Sequence, residues 1–233
     1  MSKPRRLDQL LASLGYGSRR EAMGLVDRGN VKVNGEVVTD PEFRVMAGDV
    51  LVRGEPLEAP DGLLAMLHKP VGYVCTRADG EGPTIYELLP PRWLKRNPAV
   101  TSIGRLDKDT SGLLLITDQG VLVQRWTSPK AVVEKVYEVE VNKALEPGLV
   151  EVFASGEIQL RSEDKPCLPA RLQIMDETHA VVTLTEGRYH QVRRMFASQG
   201  WQVVQLHRSR FGTCELGDLK AGEHALLPIP ASK

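Results

Sequence analysis

The sequence has little that would support a disulfide framework, a metal site or a bound nucleotide. Its three cysteines, Cys75, Cys167 and Cys214, are far apart, and its five histidines form no ligand pattern such as HExxH. The phosphate-binding patterns GxGxxG and GxxxxGKS/T are absent. No apolar run is long enough to span a membrane, and no apolar segment follows the basic N-terminus as in a signal peptide. We therefore expect a cytoplasmic protein without a metal or cofactor.

The chain also has no net charge, because 30 Lys and Arg balance 30 Asp and Glu. This excludes functions that depend on bulk positive charge. The charge is nevertheless uneven. Residues 1–35 contain seven Lys and Arg against three Asp and Glu, and residues 186–210 contain five against one. Such clusters are typical of a local polyanion-binding surface, although two solvated helix faces would give the same pattern.

The N-terminal segment predicts two helices and a hairpin. Leucines at positions 7, 10, 11 and 14 fall on one stripe of a helix. Ser18 followed by Glu21 is typical of a capping box that opens a second helix. Asn34-Gly35, between two short alternating stretches, is a strong hairpin signal. At 233 residues and 42% hydrophobic composition, the chain has room for this unit and a second domain.

In this order, the segments SRREA, VKVNGEVV and GDVL resemble the S4 RNA-binding domain over residues 5–54. We therefore assign residues 1–55 to an S4-like domain. The resemblance implies that Arg19, Arg20 and Lys32 face RNA phosphates. Contacts of this kind position a domain without reading the base sequence.

A segment rich in Pro, Gly and acidic residues, 56–62, is predicted to be the linker to a second domain over 63–233. In that domain LLAMLHK predicts a strand that ends at Lys69-Pro70, followed by a long loop to about Pro98. The alternating stretch EKVYEVEV predicts a strand with Tyr137 pointing inward.

The segment between Gly104 and Gly112 predicts a polar loop ahead of the buried strand LLLIT. Such loops on rigid scaffolds often carry catalytic groups. Its two carboxylates, Asp107 and Asp109, allow three interpretations: a DxDxT metal or phosphoryl-transfer loop, a solvated loop cap, or a single nucleophilic Asp with a supporting one. In the first, however, Thr would follow the second Asp by two residues, whereas Thr110 follows it directly.

Four motifs in this domain resemble those of pseudouridine synthases of the RsuA/RluA group, closest to the RsuA family. GRLDKDTSGLLLIT matches the catalytic motif, HKPVGYVCT the opening motif, EKVY the motif with a basic residue before Tyr, and EGRYHQVRRM the third motif. The resemblance covers residues 63–233. It implies an α+β fold in which the S4-like domain is joined to a mixed, mainly antiparallel sheet.

The resemblance also implies roles for three residues. Asp107 would be the nucleophile that holds the sugar while the base turns, and the target base would be flipped out of its helix. Tyr137 would stack on the flipped base and assist proton removal from C5. Arg193 would pair with Asp107 and keep it ionised. Further residues implied to hold the RNA backbone are Arg105, Lys108, Arg188, Arg194, His207 and Arg208.

The implied substrate is 16S ribosomal RNA at uridine 516, bound by a monomer either as free RNA or within a pre-ribosomal particle. Two alternatives remain open at the level of sequence. One is a 23S rRNA synthase of the RluB/RluE/RluF type, because these branches share most of the motifs. The other is a noncatalytic RNA-binding assembly factor that retains the fold.

Overall fold

The computed structural model describes residues 3–78, 80–128 and 130–230, so the predicted domain ends at residues 1 and 233 lie outside the described residues. The helices are α1 (Leu7–Ser13), α2 (Arg19–Asp27), α3 (Pro91–Leu94), α4 (Gly120–Thr127), α5 (Leu149–Ser155) and α6 (Gln191–Ser198). The first strands are β1 (Arg5–Arg6), β2 (Val31–Val33), β3 (Glu36–Val37), β4 (Arg44–Val45), β5 (Val50–Val52), β6 (Glu55–Pro56), β7 (Leu64–Lys69) and β8 (Thr101–Ile103). The remaining strands are β9 (Ser111–Thr117), β10 (Lys135–Val141), β11 (Arg171–Ile174), β12 (His179–Leu184), β13 (Val203–Phe211), β14 (Cys214–Glu215) and β15 (His224–Leu226). Across these described segments, no helix has the length and apolar character needed to cross a membrane.

The N-terminal unit follows its local sequence signals. The stripe of leucines on α1 is buried against α2. Ser18 and Glu21 form the predicted capping box at the start of α2, which is confirmed by reciprocal hydrogen bonds. Asn34 and Gly35 adopt positive φ angles of 52° and 86° between β2 and β3, so the predicted hairpin is confirmed. A four-stranded sheet in the order β3-β2-β5-β6 completes the unit.

The second unit is built on one large sheet. Its main path is β11-β12-β10-β13-β9-β7-β15, with β14 added beside β13 and β8 beside β9. Among the described strands, β13 and β9 pair in parallel and the other neighbours pair antiparallel. The predicted α+β fold with a mixed, mainly antiparallel sheet is confirmed. Apolar clusters cover both faces of β9, which explains its continuous apolar sequence.

The segment predicted as a long loop before Pro98 contains more structure than expected. It includes a 3₁₀ turn over Ile85–Leu88 and the single turn of α3, which has proline at its first position. Trp93 of α3 is 1% exposed and anchors this segment in the core. The sequence also predicts no helix between LLLIT and EKVYEVEV, where the structure has α4. Elements this short lack the periodicity that identifies longer ones.

The predicted linker, 56–62, is held firmly against the second unit. Buried Arg96 donates to the carbonyl oxygens of Glu58 and Ala59 at 3.2 and 2.7 Å and to the Asp118 carboxylate at 2.8 Å. The same carboxylate accepts the backbone N–H of Leu63 at 2.7 Å. One buried ion pair therefore holds residues 58–59, in the middle of the connecting segment, and Leu63, which follows it.

A direct contact between the units lies at the end of α1. The backbone N–H of Asn97 donates to the carbonyl oxygen of Ser13 at 2.9 Å, and the Arg92 guanidinium lies 4.8 Å from the ring centre of Tyr16. Gly15, at a φ of 84°, sits so close to Arg92 that a Cβ atom would collide with its carbonyl oxygen. Glycine at this position thus ends α1 and permits the contact.

Candidate active site

Four neighbouring strands contribute one residue each to a row across the middle of the sheet. Lys69 in β7 is paired with Gly112 in β9, and Gly112 with Arg208 in β13. Arg208 is paired in turn with Tyr137 in β10. Residues paired across strands project to the same face. A Cβ atom on Gly112 would collide with the backbone of Arg208, so this close approach requires glycine.

The polar loop that precedes β9 is fixed from below by a buried lysine. Lys69 is 0% exposed, and its Nζ donates to the carbonyl oxygens of Pro70, Lys108 and Thr110 at 3.0, 3.3 and 2.8 Å. Burial lowers the pKa of Lys69, and the neighbouring carboxylates of Asp107 and Asp109 only partly oppose this. The ammonium therefore holds the backbone on either side of Asp109 and adds positive charge beneath the loop.

Asp107 lies on this loop with its side chain 33% exposed, so its carboxylate is open to a substrate. Its partner in the structure is His190, whose Nε2 lies 3.3 Å from Asp107 Oδ1. His190 precedes α6 in the left-handed conformation, with φ 47° and ψ 36°. That conformation is uncommon for residues other than glycine, although histidine adopts it more often than most, and here it accompanies the contact between His190 and the loop.

The predicted ion pair between Arg193 and Asp107 is wrong. Arg193 instead donates from Nη2 to the carbonyl oxygen of Asp109 at 2.9 Å and from Nη1 to that of Val203 at 3.0 Å. The reason is the position of Arg193 on α6. It lies almost one helical turn beyond His190, and it is the His190 imidazole that contacts the Asp107 carboxylate. Arg193 therefore braces the backbone of the loop and ties it to β13.

Tyr137 is partly buried in the middle of the sheet, as the alternation of its strand predicted. It packs against two apolar clusters, one of which contains Leu106, the residue before Asp107. The Arg208 guanidinium carbon lies 6.0 Å from the centre of its ring, within the range of a cation–π interaction. The ring is thus held next to the loop that carries Asp107.

The prediction that Arg208 holds the RNA backbone does not fit its position. Arg208 is 2% exposed, and its Nε donates to the carbonyl oxygen of Leu113 at 2.8 Å. Its Nη2 is buried without a hydrogen-bond partner among the described residues. The side chain lies in the interior because its guanidinium packs over the rings of Tyr137 and Phe211, with its carbon 6.0 and 5.2 Å from their centres. Arg208 supplies a buried positive charge behind Tyr137.

Two other predicted RNA-binding arginines are occupied by the protein itself. Arg188 donates to the carbonyl oxygens of Lys165 and Pro166, both at 2.6 Å, and to Glu186 at 3.1 Å. Arg194 donates to Glu163 at 2.9 Å and to the carbonyl oxygen of Tyr189 at 3.1 Å. Each is mostly buried because a neighbouring segment, around 161–166, folds over it. Both shape the segment before α6 and leave few donors for RNA.

The remaining predicted residues of this unit divide by exposure. Arg105 and Lys108 are exposed on the polar loop, and Lys108 Nζ donates to the carbonyl oxygen of Glu81 at 2.9 Å. The charged groups of Arg105 and Lys108 are therefore accessible to a ligand that binds beside Asp107. His207, in contrast, is partly buried on β13, and its Nδ1 lies 2.9 Å from the Ser111 hydroxyl. Burial lowers the pKa of His207, so it carries little charge for a phosphate.

On the N-terminal unit, Arg20 and Lys32 are exposed. Arg19 is 55% exposed but its Nε is 2.9 Å from the buried carboxylate of Asp8, which also binds Arg6. Burial alone would raise the pKa of Asp8, but hydrogen bonds from Arg6 and Arg19 outweigh it and hold the pKa below its ordinary value. One of the three predicted phosphate contacts is therefore partly committed to the fold.

Two residues of the site were missed at the level of sequence. Lys69 was noted only as the end of a strand, although its place in the opening motif, next to proline, was a usable signal. His190 lies within the third motif, EGRYHQVRRM, but no role is predicted for it. Within the parts of the chain that the structure describes, His, Cys, Asp and Glu do not group in threes as a metal ion would require. A cavity of about 440 Å³ lies elsewhere, between the units, where it is lined by residues such as Ser13 and Gln119.

Comparison with known proteins gives two family matches. Residues 64–198 match the family described as RNA pseudouridylate synthase, and residues 5–51 match the S4 domain. The first match spans more than half of the chain and contains the loop of Asp107, the strand of Tyr137 and α6.

Similar proteins extend over almost the whole chain. A Vibrio parahaemolyticus protein named ribosomal small subunit pseudouridine synthase A is 41% identical over 229 residues, which is 95% of each chain. A protein of the same name from Escherichia coli K12 is 41% identical over 225 residues, which is 94% of each chain. A crystal structure described as a pseudouridylate synthase is 38% identical, covers 96% of both chains and superposes with a TM-score of 0.66.

Proposed function

The chain belongs to the RNA pseudouridylate synthase family, and we propose that it converts one uridine of the small-subunit ribosomal RNA into pseudouridine. It is an isomerase, since a pseudouridine synthase changes the base atom that is bonded to C1′ from N1 to C5 and leaves the atomic composition unchanged. The substrate is proposed from the names of its relatives, which cover the same length and both units.

One observation carries the assignment of Asp107 as the reacting carboxylate. It is partly exposed on a loop whose backbone is held by Lys69 from one side and by Arg193 from the other. A carboxylate on a fixed backbone, above a buried ammonium, is positioned before the substrate arrives. Asp109, two residues further, has its carbonyl oxygen in this bracing network and not its carboxylate.

The proposed reaction uses only groups of this chain. The N1–C1′ bond of uridine breaks, the uracil turns within the site, and a C5–C1′ bond forms. The C5 proton then leaves and N1 gains a proton, so that nothing is lost overall. Asp107 either bonds to C1′ or takes a proton from C2′, and both routes need its ionised form. Tyr137 stacks on the flipped base and assists removal of the C5 proton, held in place by Arg208 behind its ring.

The N-terminal unit is proposed to anchor the RNA through Arg20 and Lys32, with a smaller contribution from Arg19. Arg105 and Lys108 would hold the backbone next to the flipped nucleotide. We propose uridine 516 of 16S RNA as the target, free or in a pre-ribosomal particle, and a monomeric enzyme in the cytoplasm. Phosphate contacts of two separated surfaces would confine binding to one face of a protein with no net charge.

The test is a comparison of Asp107→Asn with Asp109→Asn. Both remove one negative charge from the same loop, but only the first removes the proposed reacting group. We expect Asp107→Asn to bind a 16S RNA fragment as the wild type does and to form no pseudouridine, measured by chemical mapping of the RNA. Asp109→Asn is expected to keep most of its activity. Turnover by Asp107→Asn would reject the assignment.

The substrate is tested separately by mapping pseudouridines in both ribosomal RNAs of a strain that lacks the protein. Loss of a single modification in 16S RNA, restored by the wild-type gene and not by Asp107→Asn, is the expected result. Loss from 23S RNA would instead favour an enzyme of the RluB/RluE/RluF type. An unchanged pattern would favour an assembly factor.

A further inference from the structure

An exposed aromatic ring lies directly beside the residue that contacts Asp107. The ring of Tyr189 is parallel to the imidazole of His190, with centroids 3.9 Å apart and planes 18° apart. His190 in turn lies 3.3 Å from the Asp107 carboxylate. Tyr189 itself is 69% exposed, so one face of its ring is covered by the imidazole and the other faces solvent.

The backbone under this ring is held in place. The carbonyl oxygen of Tyr189 accepts a hydrogen bond from Arg194, and the backbone N–H of Arg188 donates to buried Gln191 at 2.9 Å. Gln191 also donates to Glu186 at 2.6 Å. The exposed ring is therefore carried by a fixed segment and not by a mobile loop.

A fixed aromatic ring in water, next to a site that acts on RNA, is suited to stacking on a base. Bases of every type have a π face, and aromatic side chains that stack on single-stranded RNA contribute strongly to affinity. Leaving a large ring exposed has no benefit for folding, because burial of such a ring is favourable. A base would cover the solvent face of Tyr189.

We propose that Tyr189 stacks on an unpaired base next to the target uridine and that, through His190, this stacking positions the Asp107 carboxylate. The proposal rests on the proposed function. The order of the groups identifies the base as a neighbour and not the target. A base on the outer face of Tyr189 is separated from Asp107 by two rings, and therefore cannot present its own ribose to that carboxylate.

The binding test uses Asp107→Asn as the background, so that no turnover occurs, and an RNA fragment in which each nucleotide flanking the target is made abasic in turn. Tyr189→Ala is expected to weaken binding by about 5- to 150-fold, whereas Tyr189→Phe remains within about twofold of the parent. Tyr189→Leu, apolar but not aromatic, should behave as Ala. One abasic position should weaken binding of the parent by a similar factor and have no added effect on Tyr189→Ala.

The positioning effect is tested in the otherwise wild-type enzyme by single-turnover rates at saturating RNA. Tyr189→Ala should lower this rate more than tenfold, and Tyr189→Phe should restore it. Unchanged melting temperatures of the two variants would show that the lower rate does not result from a loss of stability.

Three results would overturn the proposal: wild-type affinity of Tyr189→Ala, abasic penalties that add fully to that of Tyr189→Ala, or an unchanged saturated rate. The two proposals fail in different ways. Absence of pseudouridine with the wild-type enzyme removes the proposed function but leaves the stacking measurement standing, since the latter needs no turnover. Fully additive effects of the abasic nucleotide and of Tyr189→Ala on affinity would reject the stacking proposal alone.

Discussion

The ammonium group of Lys69 donates a hydrogen bond to the carbonyl oxygen of Thr110 over 2.8 Å. This bond joins the end of β7 to the last residue of the loop that carries Asp107. Two further carbonyl oxygens bind the same ammonium, which has no exposed surface. The shape of the loop therefore depends on a residue 41 positions before Thr110 in the chain.

Replacement of Lys69 by Met keeps the length of the side chain and removes all three hydrogen bonds. We expect a loss of about 2–4 kcal/mol in the free energy of unfolding, because buried carbonyl oxygens lose their donor. The rate of pseudouridine formation should fall more than tenfold. Urea unfolding and single-turnover assays measure the two effects. Lys130→Met, at an exposed position, is the control and should change neither. Equal behaviour of the two variants would contradict the bracing role.

Arg193 is expected to tolerate lysine poorly. Its two terminal nitrogens bind carbonyl oxygens of separate segments, at Asp109 and Val203, and a single ammonium cannot span both. Arg193→Lys should therefore lower the single-turnover rate by about tenfold, and Arg193→Ala by more. If Arg193 acted by charge alone, as an ion-pair partner of Asp107, lysine would preserve the rate.

Gly15 and Gly35 provide a matched pair for the contact between the two units. Their φ angles are 84° and 86°, but a Cβ atom meets the Arg92 carbonyl oxygen at Gly15 and nothing within 4 Å at Gly35. Alanine at either position costs about 1–2 kcal/mol for the backbone conformation. Only Gly15→Ala should also disturb the contact, lower RNA affinity and separate the units, measured by small-angle scattering. Equal effects of the two substitutions would argue against a tight contact.

The ionised carboxylate of Asp8 stabilises the folded protein, and this contribution to the free energy of unfolding depends on pH. Its pKa in the folded protein lies below the ordinary value of 3.8, so the folded state binds fewer protons than the unfolded state in that range. The contribution is complete above about pH 4 and is lost as the pH falls through the lowered pKa. Asp8→Asn should melt about 3 °C below the wild type at neutral pH, and the gap should close in acid. Thermal unfolding of both proteins between pH 3 and 7 checks this. A constant gap would mean that the carboxylate is not the source.

Local sequence signals predicted much of the fold, because capping boxes and tight turns are stabilised by interactions between residues only a few positions apart. The capping box of Ser18 and Glu21 and the turn at Asn34-Gly35 are of this kind. The resemblance to a family located the loop of Asp107. The partner of Asp107 was predicted wrongly, since the choice between His190 and Arg193 depends on the backbone conformation before α6. The burial of Arg208 depends on strand order, which no local pattern in the sequence contains.

The parallel pairing of β13 with β9 has a consequence for synthesis of the chain. Ser111 and Gly112 meet His207 and Arg208, so the centre of the sheet joins segments almost 100 residues apart. Arg193 and His190, which bind the loop of Asp107, are also encoded late. While the nascent chain is still attached to a translating ribosome, the loop emerges with Lys69 already made but without His190 and Arg193. The site is therefore complete only after Arg208 has been translated, and we expect a fragment that ends before α6 to be unable to modify RNA.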